Sequence, residues 1–539
     1  MRTQNSKQTS LLIALAGLRP ATILPIGNSS LSVEIPTVSG VNASDPIDPS
    51  FCGFAFEEAS FVRYAQDDNG KPNAFSQNLI KAVTSRTGGT PIIRLGGTSP
   101  DYARYLPGQT EPALPVAEQD NYQNVGFTTI GPSYWNLTHN FPGAKYMVQV
   151  PLATTNISET VAWAQSAVKG IGLENIHSIQ PGNEADLYAD DYRGEGGVEL
   201  NPPEYQGTLN NETYVGNWTK YVDAILAAVE LPKGRLFTAF DVAAHIGDSV
   251  NADAYVFDVE TCFNLGIDKK DIVKDVSHHY YQRNAGTAED LESGLMNITV
   301  THNHLNLFKR HIAWLKKTHP EIPFILNEVG NSLFRTNSYE FQARLGSALW
   351  QVDFYLYSMA IGIGRINYQQ IMHAGYDLWL PVASAGHEAQ VFSNFYSQPF
   401  VADFIGSSNQ TRVAKLDVAG DNGPANLAVY GAYEGDAAKR IAITNLNYWN
   451  KTSSGVERPG ATLDLAVPKG VKSVKVYHLN SPLGAGAAAD TITYGGSQWT
   501  YKSLGTEVKN VRNDTEQVAV KNGVARVTVQ DSEAALVWL

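Results

Sequence analysis

Residues 145–180 read KYMVQVPLATTNISETVAWAQSAVKGIGLENIHSIQ, and this stretch decides the fold. Lys145–Val150 and Ile176–Gln180 are short apolar runs typical of buried strands, and the helical pattern Ser158–Ile171 lies between them. A strand, a helix and a second strand in this order make one parallel βα unit. The stretch therefore predicts an α/β protein.

The same alternation runs through the first three-quarters of the chain. The strand-like runs are Phe51–Phe56, Pro91–Leu95, Lys145–Val150, Ile176–Gln180, Arg235–Phe240, Asp275–Tyr280, Pro323–Leu326 and Arg365–Gln369. Further helical patterns cover Tyr214–Glu230, His302–His319 and Tyr339–Ile361. Eight such units predict a (β/α)₈ TIM barrel. A doubly wound open sheet is the alternative, but no Gly-x-Gly-x-x-Gly loop opens a helix after the first strand.

The character of the chain changes near residue 390. Short β-branched runs such as ANLAVYGAY and KRIAITNLNY follow, separated by Gly, Pro or Asn, and they predict an antiparallel β-sandwich. We predict a signal peptide in residues 1–25, an N-terminal segment in 26–45, the catalytic barrel in 46–388 and the sandwich in 389–539. Within the N-terminal segment, Leu31–Pro36 could add a strand to the sandwich.

Composition and charge exclude several classes of partner. The net charge is −13, and no cluster of Lys and Arg could neutralise nucleic-acid phosphates. The apolar run Leu11–Leu18 after Arg2 and Lys7 is too short to cross a membrane and instead fits a signal peptide. We therefore expect neither nucleic acid nor a membrane as partner. Only Cys52 and Cys262 are present; one bridge could form, but Cys52 lies in a predicted buried strand, so a free core thiol fits it better.

The density of Asn-x-Ser/Thr motifs also favours export. They begin at Asn28, Asn42, Asn136, Asn156, Asn211, Asn217, Asn297, Asn409, Asn450 and Asn513. One such motif is usually coincidence, but this many predict a secreted, N-glycosylated, extracellular protein. The oligomeric state and the pH optimum do not follow from the sequence.

Two Asn-Glu pairs carry the chemistry. Glu184 lies in NIHSIQPGNEADLY after the fourth predicted strand, and Glu328 lies in IPFILNEVGN after the seventh. The carboxyl ends of barrel strands hold the active site, so both side chains should meet there. Retaining glycoside hydrolysis needs such a pair. Charge on Glu328 makes a neighbouring Glu184 lose its proton less readily, so we predict Glu184 as acid/base and Glu328 as nucleophile.

Other strand ends supply supporting residues. Arg94, in PIIRLGGTSPDY, should pair with an active-site carboxylate because a buried unpaired charge is costly. In SHHYYQ, a Tyr or His could hydrogen-bond the nucleophile; we select Tyr281 as a substrate contact, with His279 and Tyr280 supporting. Adjacent histidines point to opposite faces and no third ligand is evident, so no metal or other cofactor is expected.

The strand FCGFAFEEAS and the loop after Arg94 add two more carboxylates. Gly53 and Ala55 alternate with Phe54 and Phe56, so the small residues should face the barrel interior. Continuing the alternation turns Glu57 inward, as a contact for a substrate hydroxyl, and Glu58 outward. Asp101 could accept sugar hydroxyls or cap a helix.

Together, RLGGTSPDY, PGNE, HHYY and LNEVGNS resemble glycoside hydrolase family 79, the β-glucuronidase and heparanase group of clan A. The resemblance covers the barrel and, more weakly, the C-terminal sheet region. It implies retaining hydrolysis of β-linked glucuronic acid, with Asn183 at the sugar 2-hydroxyl. It also implies Gly375 and Tyr376 at the sugar carboxylate. Leu333 departs from relatives that place a Tyr there.

The expected activity is an exo-β-glucuronidase acting on glycosides or polysaccharide side chains that end in glucuronic acid or its 4-O-methyl form. An endo-acting, heparanase-like mode is one alternative, and a clan A arabinofuranosidase or xylosidase is another. A carbohydrate-binding protein with a decayed site is the non-enzymatic alternative. The sequence does not disclose the aglycone.

Overall fold

The computed structural model describes residues 30–114, 128–188, 193–194, 198–199, 206–207, 209–243, 257–283, 290–332, 339–372, 377–384, 386–418 and 424–539. Its first part is a closed barrel of parallel strands. The strands are β1 Cys52–Glu57, β2 Ile92–Gly96, β3 Lys145–Val150, β4 Ile176–Pro181, β5 Phe237–Val242, β6 Val273–Arg283, β7 Phe324–Ser332 and β8 Ile366–Gln370. Each strand pairs with the next along the chain, and β8 closes the ring against β1. The predicted (β/α)₈ barrel is confirmed.

Helices surround the barrel. They are Glu58–Ala65, Ala74–Thr87, Ser99–Tyr102, Ile157–Ile171, Asn211–Ala228, Val259–Asn264, Ile298–Asn306, Lys309–Thr318, Leu345–Ile361 and Ser397–Ile405. The single helix predicted over 302–319 is wrong, because the chain turns at Leu307 and Phe308. This turn seats the Phe308 ring against His278 and Phe324 on the outer wall of the barrel.

The side chains of β1 show how the barrel is filled. Phe56 faces outward and packs against Phe61 and Tyr64 of the following helix. Gly53 faces inward, where an added Cβ would lie 1.9 Å from Oδ1 of Asn367. The narrow interior therefore admits only small residues from this strand, and amide side chains from other strands fill the remaining space. The buried interior amides are Gln149, Gln180, Asn327 and Asn367.

A β domain follows the barrel. Its main strands are Arg412–Leu416, Leu427–Glu434, Ala437–Asn445, Gly460–Ala466, Ser473–Asn480, Thr515–Lys521, Val524–Gln530 and Glu533–Trp538. Apolar residues of both sheets share one core, including Leu463 and Val527 on one side and Val429 and Val537 on the other. Leu31–Glu34 pairs in parallel with Gly460–Ala466. The predicted sandwich architecture is confirmed.

The passage between the two domains lies later than the sequence suggested. Helix Ser397–Ile405 packs against helices Ala74–Thr87 and Leu345–Ile361, so it belongs to the barrel although it follows residue 389. The first long strand of the β domain is Arg412–Leu416. This helix is buried on all sides and therefore lacks the amphipathic periodicity that marks a surface helix.

Helix Leu345–Ile361 lies between barrel and β domain, and its Asp353 is fully buried. Asp353 accepts hydrogen bonds from Tyr430 (2.7 Å) and Thr444 (3.1 Å) of the β domain. His302, on helix Ile298–Asn306, lies 3.0 Å from the second carboxylate oxygen. We call these four residues the interface node. The node joins the two domains through one buried carboxylate.

Cys52 and Cys262 are buried free thiols, and for Cys52 this confirms the prediction. Among the described residues, no helix combines the length and apolar character needed to span a bilayer. The predicted signal peptide lies outside the described residues.

Candidate active site

Glu184 and Glu328 meet at the carboxyl ends of β4 and β7. Glu184 follows β4 in a left-handed conformation (φ 48°), and Glu328 lies within β7. One oxygen of each carboxylate and a ring nitrogen of His279 all lie within 4.8 Å of one another. Retaining glycosidases hold their carboxyl groups about 5–5.5 Å apart, whereas inverting enzymes need about 6.5–9.5 Å. The spacing of this pair fits retention.

Arg94 is a completely buried guanidinium that binds several acceptors. One of its nitrogens donates to Glu328 Oε2 at 2.6 Å. The other terminal nitrogen donates to Asp241 Oδ2 at 2.7 Å and to Asn183 Oδ1 at 2.6 Å. Burial acts to lower the pKa of Arg94, but the charges of Asp241 and Glu328 outweigh it and raise the pKa. Arg94 therefore lies against the nucleophile candidate as a permanent cation.

Residues of β6 alternate between the site and the barrel wall. Tyr281 faces the site, and its hydroxyl donates to Glu328 Oε1 at 2.5 Å. Tyr280, predicted as a supporting residue, faces the opposite way and packs 4.9 Å from the ring of Phe354. The correction follows from strand geometry, because neighbouring side chains point to opposite faces. Only one tyrosine of the pair reaches the glutamates.

His279 is the second inward residue of β6, and it is fully buried. Its Nδ1 lies 2.9 Å from Glu184 Oε1, and its Nε2 lies 3.1 Å from Asp241 Oδ2. Burial acts to lower the pKa of His279, but the negative charges of Asp241 and Glu328 outweigh it and raise the pKa to about 10. The ring is therefore an imidazolium at neutral pH.

Asn183 joins the Arg94 network to the mouth of the barrel. Its Oδ1 accepts from Arg94, and its backbone N–H donates to Asp101 Oδ2 at 3.2 Å. Its side-chain nitrogen has no hydrogen-bond acceptor among the described residues. The amide is thus fixed at its oxygen and free to donate from its nitrogen.

Asp101 ties three loops together. Its carboxylate accepts from the backbone N–H groups of Leu152 (3.3 Å) and Asn183 and from the Tyr188 hydroxyl (2.9 Å). Burial raises the pKa of Asp101 to about 7, and these hydrogen bonds oppose the rise. Asp101 is only 3% exposed, so it positions the loops rather than presenting an acceptor to solvent. The helix cap considered from the sequence is not its role.

Glu57 faces inward, as its position on β1 predicts, but its carboxylate is engaged. Oε1 accepts from the Ser99 backbone N–H at 2.7 Å, and the Ser99 hydroxyl also donates to it. Burial and the charge of Glu328 raise the pKa of Glu57 to about 7. Gly97 (φ 108°) lets this loop close, since a Cβ there would lie 2.0 Å from Glu57 Oε2. Glu58, expected to face outward, is buried.

Comparison with known proteins shows what this chain is similar to. Residues 429–536 match the model of the glycosyl hydrolase family 79 C-terminal β domain. This part of the chain therefore resembles the β domain of glycoside hydrolase family 79. It is 27% identical over 537 residues to a β-glucuronidase of Aspergillus niger, covering 93% of this chain and 94% of that protein. It is 25% identical over 462 residues to a β-glucuronidase of Neurospora crassa, covering 79% of each.

A solved structure shares the fold of this chain. A 4-O-α-L-rhamnosyl-β-D-glucuronidase from Fusarium oxysporum 12S superimposes with a TM-score of 0.75 at 19% identity. The match covers 94% of this chain and all of that one. The resemblance to family 79 is therefore confirmed, and the protein is a glycoside hydrolase.

Two residues that the family 79 resemblance implied, Gly375 and Tyr376, lie outside the described residues, as does Leu333. The assignment of the first two to the sugar carboxylate therefore stays a prediction.

Asp241 is the site residue that the sequence reasoning missed. It is the fifth residue of the run FTAFDV on β5, is 1% exposed, and contacts Arg94, His279, Ser277 and Gln180. Arg94 and His279 overcome the effect of burial and hold the pKa of Asp241 well below its ordinary value. A carboxylate at the end of a predicted barrel strand was the available signal, the same signal that identified Glu328.

Glu184, His279 and Glu328 are close enough to bind one metal ion. A metal needs a nitrogen lone pair, however, and the raised pKa of His279 keeps both ring nitrogens protonated. The donor set of this site therefore does not suit a metal at neutral pH.

Proposed function

We propose that this enzyme is a retaining exo-β-glucuronidase. It releases terminal β-linked glucuronic acid, or its 4-O-methyl form, from glycosides or polysaccharide side chains. The observation that carries the proposal is the approach of the Glu184 and Glu328 carboxylates to within 4.8 Å at the barrel mouth. The names of the relatives that match most of the chain supply the substrate class.

The first step transfers the sugar to Glu328. Its carboxylate oxygen forms a bond to the anomeric carbon while the bond from that carbon to the glycosidic oxygen breaks. The electron pair goes to the leaving oxygen, which takes a proton from Glu184. Arg94 and Tyr281 donate to the two Glu328 oxygens and hold them in a fixed orientation for this attack.

The second step releases the sugar. Glu184, now a carboxylate, takes a proton from water as the water oxygen bonds to the anomeric carbon. The bond from that carbon to Glu328 breaks, and its electrons return to the carboxylate. Two inversions at one carbon give net retention. The free amide nitrogen of Asn183 suits a hydrogen bond to the sugar 2-hydroxyl in both steps.

A panel of aryl glycosides tests the substrate class. Wild type should cleave the β-glucuronide much faster than the xyloside or the arabinofuranoside. Glu328→Gln should lose about 10³-fold or more on the glucuronide because the covalent step is removed. Glu516→Gln, on an exposed strand of the β domain, is the matched control and should retain wild-type rates. A preference for a neutral sugar would reject the substrate class, and an active Glu328→Gln would reject the nucleophile.

Product analysis tests the stereochemistry and the mode of attack. Proton NMR during hydrolysis should show the β-anomer of glucuronic acid before mutarotation; an initial α-anomer would reject retention. On a glucuronidated polymer, free glucuronic acid should appear first. Early release of oligomers would favour the endo-acting alternative.

We also propose that the enzyme is secreted and N-glycosylated. Of its sequon asparagines, Asn42, Asn136, Asn156, Asn409 and Asn513 are exposed, and no described sequon asparagine is buried. Expression with residues 1–25 in a fungal host should deliver the enzyme to the medium. Peptide N-glycosidase should then lower its mass, and retention of the enzyme inside the cells would contradict the proposal.

A further inference from the structure

Five charged or titratable side chains form a compact group at the base of the site. We call Arg94, Glu184, Asp241, His279 and Glu328 the charge cluster. Glu184 and Glu328 perform the proposed bond-making and bond-breaking, whereas Asp241 has no part in those steps. At 1% exposure it cannot touch a substrate. Its contacts with both cations of the cluster therefore need another explanation.

The structure holds Asp241 in place at a conformational cost. Phe240 (φ 77°) and Asp241 (φ 51°) are consecutive non-glycine residues in the left-handed region. The register of β5 against β6 also shifts between Phe240 and Val242. Non-glycine residues in this region are strained and persist where the surrounding structure over-determines them. A bulge beside an active site commonly redirects a side chain, and here it turns the Asp241 carboxylate into the barrel.

Asp241 also touches Glu184 through the backbone. The Glu184 N–H donates to the Asp241 carbonyl oxygen at 2.7 Å, and Glu184 itself is left-handed. The Ser277 hydroxyl donates to Asp241 Oδ1 at 2.6 Å from the neighbouring strand. One residue thus fixes the backbone of the acid/base and pairs with both cations.

The formal charges of the cluster sum to zero both before and after sugar transfer in the proposed reaction. Arg94 and His279 are cations, and Asp241 is an anion. Before sugar transfer Glu328 is charged and Glu184 is protonated, so the cluster is neutral. After transfer Glu328 is an ester and Glu184 is charged, so the cluster is neutral again. Net charge in a buried site is costly, and a constant sum avoids it.

We propose that Asp241 is a positioning residue that keeps His279 in its imidazolium form, so that the cluster is neutral when one, and only one, of the two glutamates is charged. This inference rests on the proposed function. Without Asp241 the neutral state would require a neutral His279. Two constant positive charges and one constant negative charge would then no longer determine that exactly one of the two glutamates is charged.

The remaining groups around His279 do not replace Asp241. Besides the cluster itself, Asp186 interacts electrostatically with His279, and Glu57 and Tyr281 interact with Glu328. Burial raises the pKa values of Glu57 and Asp186 to about 7, so neither carries a full charge at neutral pH. Tyr281 is a hydroxyl donor to Glu328. Among the residues that the structure describes, Asp241 is consequently the anion next to His279 whose charge does not change during turnover.

The protonation state of His279 can be measured directly. In enzyme labelled with ¹⁵N-histidine, the signal missing from His279→Gln identifies the ring among the 12 histidines. Wild type should remain imidazolium through pH 8. Asp241→Asn should titrate roughly one to three pH units lower, because one adjacent negative charge is gone. A neutral His279 at pH 8 in the wild type would overturn the proposal even if Asp241→Asn failed to fold.

Kinetics supply the second readout. Removing one negative charge makes every remaining proton of the cluster easier to lose, so the alkaline limb of kcat/KM should move to lower pH in Asp241→Asn. The matched control is Asp353→Asn, which alters another buried aspartate beside a histidine, outside the site. Its limb should not move. An unmoved limb in folded Asp241→Asn would overturn the proposal.

The two hypotheses fail separately. The NMR titration uses free enzyme, so it holds even if no glucuronide is a substrate. An inactive wild type with an imidazolium His279 would reject the proposed function and leave the role of Asp241 in place.

Discussion

The charge cluster and the interface node are built from the same elements, a buried aspartate beside a buried histidine. Asp241 lies 3.1 Å from His279, and Asp353 lies 3.0 Å from His302. Their surroundings differ. The other donors to Asp353 are the neutral hydroxyls of Tyr430 and Thr444, whereas Asp241 shares its partners with two further carboxylates. The node contains a single carboxylate, whereas the distribution of charge in the cluster depends on which glutamate holds a proton.

Backbone conformation separates the two regions as well. Asp353 lies within a regular helix, whereas Asp241 and Glu184 are both left-handed. Asp353, Tyr430 and Thr444 of the node are fully buried, while the Glu184 side chain is 19% exposed. Pairing of an aspartate with a histidine therefore does not identify a catalytic site. Strained backbone together with a partly exposed titratable partner does.

The largest effect should come from breaking the node. Asp353→Ala removes a buried ion that three side chains contact, so we expect a loss of about 3–5 kcal/mol in the free energy of unfolding. The folded fraction should keep its kcat within about twofold, because no node residue contacts the glutamates. Denaturant titration and kinetics below the midpoint measure the two quantities. A large fall in kcat without a fall in stability would erase the distinction between the regions.

Arg94→Lys should reverse that pattern. Lysine keeps the charge but cannot bind Glu328, Asp241 and Asn183 at once, since it lacks the planar fork. We expect kcat/KM to fall by about 10²–10³-fold. Arg440→Lys, a buried arginine of the β domain that contacts Glu434, is the matched control and should keep wild-type activity. Equal activity of the two variants would contradict the role of Arg94.

A smaller effect is expected from removing one hydroxyl that donates a hydrogen bond to each aspartate. Tyr430→Phe and Ser277→Ala each delete one donor to a buried carboxylate. Both should lower the free energy of unfolding by about 1–3 kcal/mol. Only Ser277→Ala should also change the pH profile of kcat/KM. If Tyr430→Phe changed that profile to the same degree, the node and the site would be coupled.

The sequence predicted more of the fold than of the site, and the reason is physical. Each of the eight buried strands is a short apolar run, and helical patterns lie between several of them. This alternation is visible in the local sequence, so the barrel was predictable. The helix over 302–319 was predicted without its break, because the turn at Phe308 serves a contact with distant Phe324. Tyr280 was misassigned because its distance from Tyr281 along the chain was used in place of the alternation of the strand.

Within the site, strand-end carboxylates were predictable and their partners were not. Glu184 and Glu328 stand in motifs, and Arg94 needed a counter-charge. The left-handed turn that directs Asp241 inward could not be predicted from the sequence, because it also requires this conformation of Phe240, a bulky residue that rarely adopts it. The engagement of Glu57 by Ser99 also depends on a loop closure between distant segments.

The smallest effect, and the finest test of the comparison, is the pH dependence of stability. Burial acts to raise the pKa of Asp353, but His302 and the Tyr430 hydroxyl hold it below its ordinary value. A lowered folded pKa gives stability that is present above the unfolded pKa, about 3.9, and is lost as pH falls through the folded pKa.

The raised pKa of His279, about 10, gives the opposite pH dependence of stability. Its stability is fully present below the unfolded pKa, about 6.5, and is lost as pH rises toward 10. The difference in unfolding free energy between wild type and Asp353→Asn should therefore be flat from pH 5 to 8 and shrink in acid. The difference between wild type and His279→Gln should be flat from pH 5 to 6 and shrink in alkali. Denaturant titrations across this range measure both, and a node that weakened in alkali would contradict the distinction between the two aspartates.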